Sequence, residues 1–388
     1  MKLINICDIV NTRTSEIRNY ISTENMLPNK GGVCEAANVP SGTVIEYKVG
    51  DILISNIRPY FQKIWRADRN GGCSADVLCI RAKENVDSKY LYYLLSQQAF
   101  FDYVMSGAKG CKMPRGDKKQ IMQWPVTLPP LEEQRRIAGI LGSLDDKIEL
   151  NRRINANLET QAQALFRSWF VDFEPFRDGP FVDSELGKIP QGWKICRLKD
   201  ATKEIIRGFT SKYVERSDLI NLNQKVNKGQ YLDRQYYKFL NPEIAIPTNK
   251  FAQQNDILLN SLGQGTLGRV HYYGELTPNI VIDQHITIIR ANNTTFQPSF
   301  IYLFLSSNKV QHSIEGMVTG STGMQMLNIS QVREMNILQP DVNTMNKFHN
   351  IVQPFFVEIR KNNSETEIIA KIRDTLLPKL MAGEIAIE

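Results

Sequence analysis

The period of the hydrophobic pattern changes along the chain. Short β-rich runs such as "DILIS" and "ADVLCIRA" come first, and clusters of Gly, Asn and Pro separate them. One amphipathic helix is predicted over "KYLYYLLSQQAFFDYVM", residues 89–105. Strands that surround a single helix in this way predict a domain of the α+β class with a curved sheet.

From Leu131 onward the pattern becomes that of one long helix. Pro129 and Pro130 are followed by Glu132 and Glu133, which is typical of a helix start, where the dipole favours acids. Seam positions then recur at steps of four and three, as in a coiled coil. A helix that packs only on its own domain is the alternative. The seam residues are Ile137, Leu141, Leu144, Ile148, Asn151, Asn155, Leu158, Ala162, Leu165 and Trp169.

The whole pattern occurs twice. "VGDILISNI" (49–57) matches "QNDILLNSL" (254–262), and "GAKG" (107–110) matches "GSTG" (320–323). Between them "LCIRA" matches "TIIRA", and "YLYYLLS" matches "FIYLFLS". The long helix recurs as well, with its seam 211 positions later (348 − 137 = 211). Each half is therefore an α+β unit followed by a long helix. The second seam is Phe348, Val352, Phe355, Ile359, Asn362, Thr366, Ile369, Arg373, Leu376 and Leu380.

Two such units pair most simply about a pseudo-twofold axis, which makes the helices antiparallel. Residues whose numbers sum to 517 then face each other, as 137 and 380 do (137 + 380 = 517). The apolar layers that this predicts are Ile137–Leu380, Leu141–Leu376, Ile148–Ile369, Leu158–Ile359, Ala162–Phe355, Leu165–Val352 and Trp169–Phe348.

Polar residues define the register of the predicted helix pair. Asn151 is expected to face Thr366, and Asn155 to face Asn362. A slip of one heptad would set these groups against aliphatic side chains, at a cost of ~1–3 kcal/mol each. Arg373 falls opposite Leu144, so we expect its guanidinium to reach an acid such as Asp145 or Asp146.

Composition narrows the class of protein. A chain of 388 residues has room for two domains, and its 42% hydrophobic and 23% charged residues are globular values without a membrane-length apolar run. The start lacks the features of a secretory signal, so we expect a cytoplasmic protein. The six cysteines form no CxxC pair, which favours reduced thiols over disulfides or a metal site. A net charge of +6 permits a polyanionic partner without requiring one.

Three segments carry a resemblance to a known family. "LPPLEEQRRIAGILGSLDDKIELNRRI", "SELGKIPQGW" and "IRDTLLPKLMAGEI" resemble the conserved regions and the linker of specificity subunits (HsdS) of type I restriction-modification systems. The resemblance implies two pseudo-repeated target-recognition domains joined by two long helices that form an antiparallel coiled coil. The second helix departs from the cleaner heptad pattern of the first, because it contains Gln353-Pro354. The predicted parts are recognition domains at 1–130 and 194–340, helices at 131–172 and 341–388, and a linker without periodicity at 173–193.

The resemblance also implies a function. Each recognition domain would read one half of a bipartite site in double-stranded DNA, while the helices set the spacer and dock methyltransferase subunits, with two of these expected. Restriction subunits with translocase and nuclease activity would complete the assembly. S-adenosylmethionine, ATP and magnesium would bind to those partners and not to this chain. A 33-residue seam spans ~50 Å, which suits half-sites ~34–36 Å apart.

Basic residues on loops are the candidates for DNA contact. Lys and Arg would neutralise phosphates, and a few Arg, Asn or Gln side chains would read base edges. For each cation, a solvated surface charge is the alternative. The candidates are Arg58, Lys63, Arg66, Arg69, Lys109, Lys112, Arg115, Lys118, Lys119, Arg207, Lys212, Arg234, Lys238 and Arg269.

No catalytic or metal site is predicted. "GQGTLG" (263–268) precedes a strand-like run and not a helix, so we interpret it as a turn. "LPPL" lacks the Asp or Asn of an adenine methyltransferase motif, and the four histidines lack metal-ligand spacing. Two alternatives stay open: an interaction protein whose coiled coil joins two domains that do not bind DNA, and an enzyme with an unrecognised site in the first unit.

Overall fold

The computed structural model describes residues 1–110, 112–210, 212–263, 265–275, 278–319 and 325–385. The chain divides into two compact units, of which unit 1 comprises Met1–Glu149 with Glu367–Glu388, and unit 2 comprises Leu150–Thr366. The predicted "GSTG" counterpart at 320–323 lies outside the described residues. Each unit contains strands, short helices and one half of each long helix, so the predicted α+β class is confirmed.

Unit 1 places its short helices on one side of an antiparallel sheet. In its described part the strands pair in the orders β1-β7-β4-β5 and β2-β3-β6, with Ile52 opposite Ile80. Leu91 and Phe100 of the helices are buried with Ile80 in one core. The strands are β1 (Cys7–Ile9), β2 (Arg13–Thr14), β3 (Val44–Tyr47), β4 (Ile52–Ser55), β5 (Ile64–Arg66), β6 (Gly71–Cys73) and β7 (Val77–Ala82). The helices are α1 (Ser88–Leu95), α2 (Gln98–Ser106), α3 (Lys118–Ile121) and α4 (Leu131–Phe170).

The prediction of one helix over residues 89–105 was wrong, because two helices meet there. Gln97 is extended (φ −69°, ψ 146°) and precedes the first residue of α2. The Ser96 hydroxyl donates to the Tyr92 carbonyl (2.7 Å), and the Gln97 amide donates to the Leu94 carbonyl (3.1 Å). These polar side chains bond to the last carbonyl groups of α1 and end the helix, although the apolar periodicity continues.

Unit 2 repeats the first sheet of unit 1. Its described strands give the order β11-β18-β15-β16, the same topology as β1-β7-β4-β5, and the second sheet is β12-β14-β13-β17. The strands are β8 (Phe181–Ser184), β9 (Gly187–Pro190), β10 (Lys194–Arg197), β11 (Thr202–Arg207), β12 (Tyr213–Val214), β13 (Ile220–Leu222), β14 (Lys238–Leu240), β15 (Ile257–Asn260), β16 (Val270–Tyr272), β17 (Ile280–Ile282), β18 (Ile286–Ala291), β19 (Val318–Thr319), β20 (Met326–Leu327) and β21 (Asn336–Gln339). The helices are α5 (Pro298–Ser306), α6 (Asn308–Gly316), α7 (Ile329–Arg333) and α8 (Val342–Met381).

A buried acid–arginine pair occurs at the same place in both repeats. Asp51, directly before β4, accepts from Arg81 of β7 (2.7 Å). Asp256, directly before β15, accepts from Arg290 of β18 (2.8 Å). In unit 2 the arginine also contacts Glu204, and its side chain is only 8% exposed, against 40% for Arg81. The repeat predicted from the sequence therefore extends to side-chain chemistry.

The two long helices, α4 and α8, each run through both units. The α4 helix begins at Leu131, as predicted, and ends at Phe170, two residues before the predicted boundary at 172. The α8 helix continues through Pro354 without a break. A proline in a helix interior removes one backbone hydrogen bond, but packing against unit 2 holds the helix, because Val352 and Phe356 on either side are buried.

The predicted linker at 173–193 contains regular structure. The strands β8 and β9 form a hairpin, with Phe181 opposite Pro190. Trp193 packs on Phe176 (ring centroids 4.8 Å apart) and on Phe170, the last residue of α4 (5.8 Å). Aromatic packing therefore fixes this segment against the end of the helix. Among the described residues, no helix combines the length and the apolar character that a membrane span requires.

Candidate nucleic-acid interface

Two basic loops of unit 1 lie side by side. One is the turn at 58–63, which connects β4 to β5, and the other is the segment at 107–119. The Arg58 backbone N–H donates to the Pro114 carbonyl (2.8 Å), and Ile57 forms a β-bridge with Arg115. Tertiary structure thus joins cations that are about 50 positions apart in the sequence.

The segment at 107–119 contains five basic residues and one acid, an excess of four positive charges (5 − 1 = 4). Lys109 contacts Asp117 (3.1 Å), and Arg115 contacts Asp76, so these two cations are partly neutralised. Hydrogen bonds from Lys109 and from backbone N–H groups lower the pKa of Asp117. All five cations are exposed, and Lys112, Lys118 and Lys119 are the three outside these two ion pairs.

The turn itself holds its two candidate cations differently. Arg58 has a left-handed backbone (φ 51°), and its Nε is buried without a hydrogen-bond partner in the described part of the chain. Lys63 donates to the Thr23 carbonyl (2.6 Å), and burial lowers its pKa. The ammonium of Lys63 is therefore already bound within the unit, whereas Arg58 retains capacity to donate.

Arg66 and Arg69 are not part of this pair of loops. Arg66 of β5 donates from Nε and Nη2 to the Ser88 hydroxyl (3.2 and 3.0 Å). Arg69 is exposed, lies 5.7 Å from the Trp65 ring centroid and contacts Asp68 (3.4 Å). Lys63 directly precedes β5, whereas Arg66 is the last residue of β5 and Arg69 follows it. The structure therefore does not bring Arg66 or Arg69 to the Arg58 turn.

The candidates of unit 2 divide by exposure. Lys212 and Lys238 are exposed, and the Lys238 ammonium lies 4.3 Å from the Tyr213 ring centroid. Arg234 is half-buried and contacts Glu275 (3.2 Å). A cation over an aromatic face is held in place while it stays accessible to a phosphate.

Arg207 and Arg269 bond mainly within unit 2. Arg207 donates to the Leu327 carbonyl, and burial lowers its pKa. Arg269 donates to the carbonyl groups of Gly265 (3.1 Å) and Asn227 (3.4 Å), across the turn that contains "GQGTLG". The described residues of that segment form a turn between β15 and β16, which agrees with the turn predicted from the sequence.

Sequence reasoning overlooked the apolar side chains among these cations. Tyr60 is 47% exposed, Phe61 is 37% exposed and Met113 is 54% exposed. The signal was present as aromatic residues between basic ones in "RPYFQK", a composition typical of nucleic-acid contact.

The long helices place the predicted polar pairs in contact within unit 2. Asn151 Nδ2 donates to Thr366 Oγ1 (3.3 Å) and to Glu365 Oε2 (2.9 Å). Asn362 Nδ2 donates to Asn155 Oδ1 (2.9 Å). Because the partner number falls from 366 to 362 as the number in α4 rises from 151 to 155, the helices run antiparallel.

Arg373, the charged residue of the predicted seam, is paired with an acid within unit 1. Arg373 Nη1 donates to Asp145 Oδ1 (2.7 Å), which confirms the expected acidic partner. Tyr93 of α1 donates to the other oxygen of Asp145 (2.6 Å). Despite the burial of Arg373, its pKa is raised, and the cause is the pair of acids Asp145 and Asp374. This network ties the α+β part of unit 1 to both helices.

The helices have a wider apolar face than the predicted seam. Trp169 contacts Phe348 as expected (ring centroids 5.7 Å apart). However, Phe166, Phe170 and Phe356, which the heptad pattern omits, are at most 5% exposed and belong to the core of unit 2. The helices therefore pack on each other and also on the α+β domain of their unit.

Comparison with known proteins gives consistent matches. The family model described as the type I restriction modification DNA specificity domain matches residues 18–160. The specificity subunit of the type I restriction enzyme MjaIX of Methanocaldococcus jannaschii is 31% identical over 322 residues, which cover 79% of this chain and 71% of that protein. The HindI specificity subunit of Haemophilus influenzae is 27% identical, and 94% of each chain is covered.

A solved structure is similar over nearly the whole chain. It is the S subunit of a type I restriction-modification system from M. genitalium, with a TM-score of 0.55 and 16% sequence identity. The match covers 98% of this chain and 95% of that one. At this identity the likeness shows the fold, which agrees with the two α+β units and the paired helices described above.

Proposed function

Because this chain belongs to the specificity subunits of type I restriction enzymes, we propose that its two units each read one half of a bipartite DNA site. The family supplies DNA sequence specificity to a restriction-modification complex and is not itself catalytic. The observation that carries the bipartite reading is the repeat, since one sheet topology occurs twice with different loops attached.

The loops differ where DNA contact is proposed. After β4, unit 1 has "RPYFQK", whereas after β15 unit 2 has "GQGTLG". Two sheets of the same topology hold their loops in equivalent positions, and the side chains of the loops then determine which bases are bound. Different loops on equal frames would give two unlike half-sites, so the target would be asymmetric.

The helices would set the spacer and bind the partners. Exposed apolar side chains outside the seam support docking of methyltransferase subunits, because such side chains mark interaction surfaces. In unit 2 these are Leu150, Ile154, Val342, Ile351 and Val357, and in unit 1 they are Ile140, Ile368 and Ile372. With two methyltransferase subunits and the restriction subunits, the complex would act in the cytoplasm and would use S-adenosylmethionine, ATP and magnesium bound to those partners.

Exchange of one unit tests the bipartite reading. Residues 194–340 are replaced by the matching segment of a relative, and the methylated sequence is determined in cells that carry the whole system. One half of the site should change while the other half and the spacer stay the same. A simultaneous change of both halves would contradict independent reading by two units.

Salt dependence tests which loops contact phosphate. The affinity of the assembled methyltransferase for its site should fall steeply with salt, because bound cations displace counterions from DNA. Replacing exposed Lys112 by Ala should reduce the log-log slope by about one unit. The control is Lys188→Ala, which removes an exposed lysine of the 173–193 hairpin. Equal slopes for the wild type and the Lys112 variant would remove this loop from the interface.

A further inference from the structure

The turn after β4 presents two aromatic rings to solvent. Tyr60 and Phe61 contact each other, with ring centroids 4.6 Å apart and planes inclined by 52°. About half of the Tyr60 side chain is exposed, as already given, although burial of an aromatic ring is favourable. An exposed pair of rings on a loop therefore needs a reason beyond the stability of the unit.

The backbone beneath these rings is strained and firmly held. Arg58 and Gln62, at the two ends of the 3-10 turn Pro59–Phe61, are both left-handed, with φ of 51° and 50°. Non-glycine residues adopt this region at a cost in free energy, and such strain clusters at functional sites. A neighbouring loop braces the turn, since the N–H groups of Asn29 and Lys30 donate to the carbonyls of Phe61 (2.8 Å) and Gln62 (2.9 Å).

The surroundings of the rings are basic. Arg58 begins the turn, and its buried Nε lacks a partner among the residues that the structure describes. The adjoining segment at 107–119 has the excess of four positive charges noted above, and Met113 adds a third exposed apolar side chain beside Lys112. Apolar rings within a cationic surface match the chemistry of DNA, which combines anionic phosphates with flat apolar bases.

We propose that Tyr60 and Phe61 form an apolar wedge that enters the DNA half-site of unit 1 and stacks on a partly opened base step. Arg58 and the segment at 107–119 bind the flanking phosphates and hold the duplex over the wedge. Side chains inserted in this way unstack a base step and kink the duplex. The rigid turn lowers the entropy lost on insertion. The inference rests on the proposed DNA-reading function of unit 1.

The corresponding turn of unit 2 has no aromatic pair in its sequence. The corresponding residues are "GQGTLG", in which Gly263, Gly265 and Gly268 have positive φ angles of 108°, 74° and 84°. A turn rich in glycine brings the backbone close to a ligand but has no ring to insert. The two half-sites are therefore opened differently, and only the half read by unit 1 contains a base step unstacked by this turn.

The test compares Tyr60→Ala with Tyr60→Phe in the assembled methyltransferase. Loss of one stacked ring should weaken binding to the bipartite site roughly tenfold or more. The salt slope should stay unchanged, because no charge is removed. Tyr60→Phe keeps the ring and should bind like the wild type. Val49→Ala, at the opposite end of β4, removes another exposed apolar side chain and is the matched control.

A fluorescent base locates the effect. With 2-aminopurine in the half-site of unit 1, the wild-type complex should show the increase in emission of an unstacked base, and Tyr60→Ala should lose it. The same probe in the other half-site should respond equally to both proteins. Unit exchange, described above, identifies which half-site belongs to unit 1.

Four results would overturn the wedge. Unchanged affinity of Tyr60→Ala, while Lys112→Ala lowers the salt slope, would reject the wedge and leave the proposed function intact. Equal loss in Tyr60→Phe and Tyr60→Ala would assign the effect to the hydroxyl group and not to stacking. Loss of methyltransferase subunits from the purified Tyr60→Ala complex would make the rings a protein-docking surface. If neither the Tyr60 nor the Lys112 variant affects DNA binding, the proposed function of this face fails as well.

Discussion

The buried amide pair of the long helices gives a quantitative prediction. Asn155 and Asn362 are 6% and 4% exposed, and one hydrogen bond joins their side chains (2.9 Å). Asn155 also donates to Asn363 Oδ1 (2.9 Å). We consider Asn155→Leu, Asn362→Leu and the double variant, since leucine has nearly the shape of asparagine without its polar atoms.

Each single variant should lower the free energy of unfolding, whereas the double variant should not. Asn155→Leu leaves the Asn362 amide buried without its acceptor, which costs about 1–3 kcal/mol. A loss of about 2 kcal/mol lowers the Tm by about 4–8 °C for a unit of this size. The double variant removes both polar groups together, and an apolar pair of the same shape should restore the free energy of unfolding to the wild-type value or above it.

Chemical denaturation of the four proteins measures this as a double-mutant cycle. The coupling free energy should exceed about 1 kcal/mol, because the two amides satisfy each other. If the double variant were destabilised by the sum of the single losses, the pair would not act as a unit, and the argument that polar layers specify the register would be refuted.

Three further predictions concern pH, buried charge and helix length. Burial lowers the pKa of His271 to about 4 from 6.5, so the unfolded chain binds the proton more readily than the folded unit does. The contribution of neutral His271 to the stability of unit 2 is therefore complete above pH 6.5 and is lost as the pH falls to 4, by up to about 3 kcal/mol. In urea unfolding at pH 7 and pH 4.5, His271→Gln should show a smaller pH effect than the wild type, and an equal effect would contradict this. Arg290→Met should destabilise unit 2 by about 3–5 kcal/mol, because buried Asp256 loses its cation, whereas Arg81→Met in the more exposed pair should cost less; equal losses in thermal unfolding would count against burial as the cause. One heptad inserted after Asn155 and one after Lys361, directly before the facing residue Asn362, should lengthen the spacer of the methylated site by about three base pairs, from ~10 Å of added helix, and an active variant with the original spacer would show that the helices do not set the distance.

The sequence by itself determined the repeat and the register of the helix pair. An offset of 211 residues between two seams, together with twofold pairing, is enough to put Asn151 opposite Thr366 and Asn155 opposite Asn362. The register can be derived because heptad positions depend only on the local sequence. For an antiparallel pair, the register is then defined by one number, the sum of two facing residue numbers. The acid that neutralises Arg373 followed from the same arithmetic.

Local conformation at the ends of elements was less accessible from sequence. The break between α1 and α2 depends on side-chain hydrogen bonds from Ser96 and Gln97, while the apolar pattern runs through it. Aromatic contacts with the end of α4 hold the hairpin of the linker in place. The linker sequence has no periodic pattern that would predict these contacts. Competing short-range hydrogen bonds and distant packing decide such segments.

Only the tertiary structure decided which cations and rings form a surface. The sequence gives Arg115 and Lys112 the same status, but the fold pairs Arg115 with Asp76, which is 39 positions away, and leaves Lys112 exposed. Likewise Phe166 joins the core, whereas Tyr60 stays at the surface on a braced turn. Pairing and burial depend on neighbours distant in the chain, and hydrophobic periodicity contains no information about them.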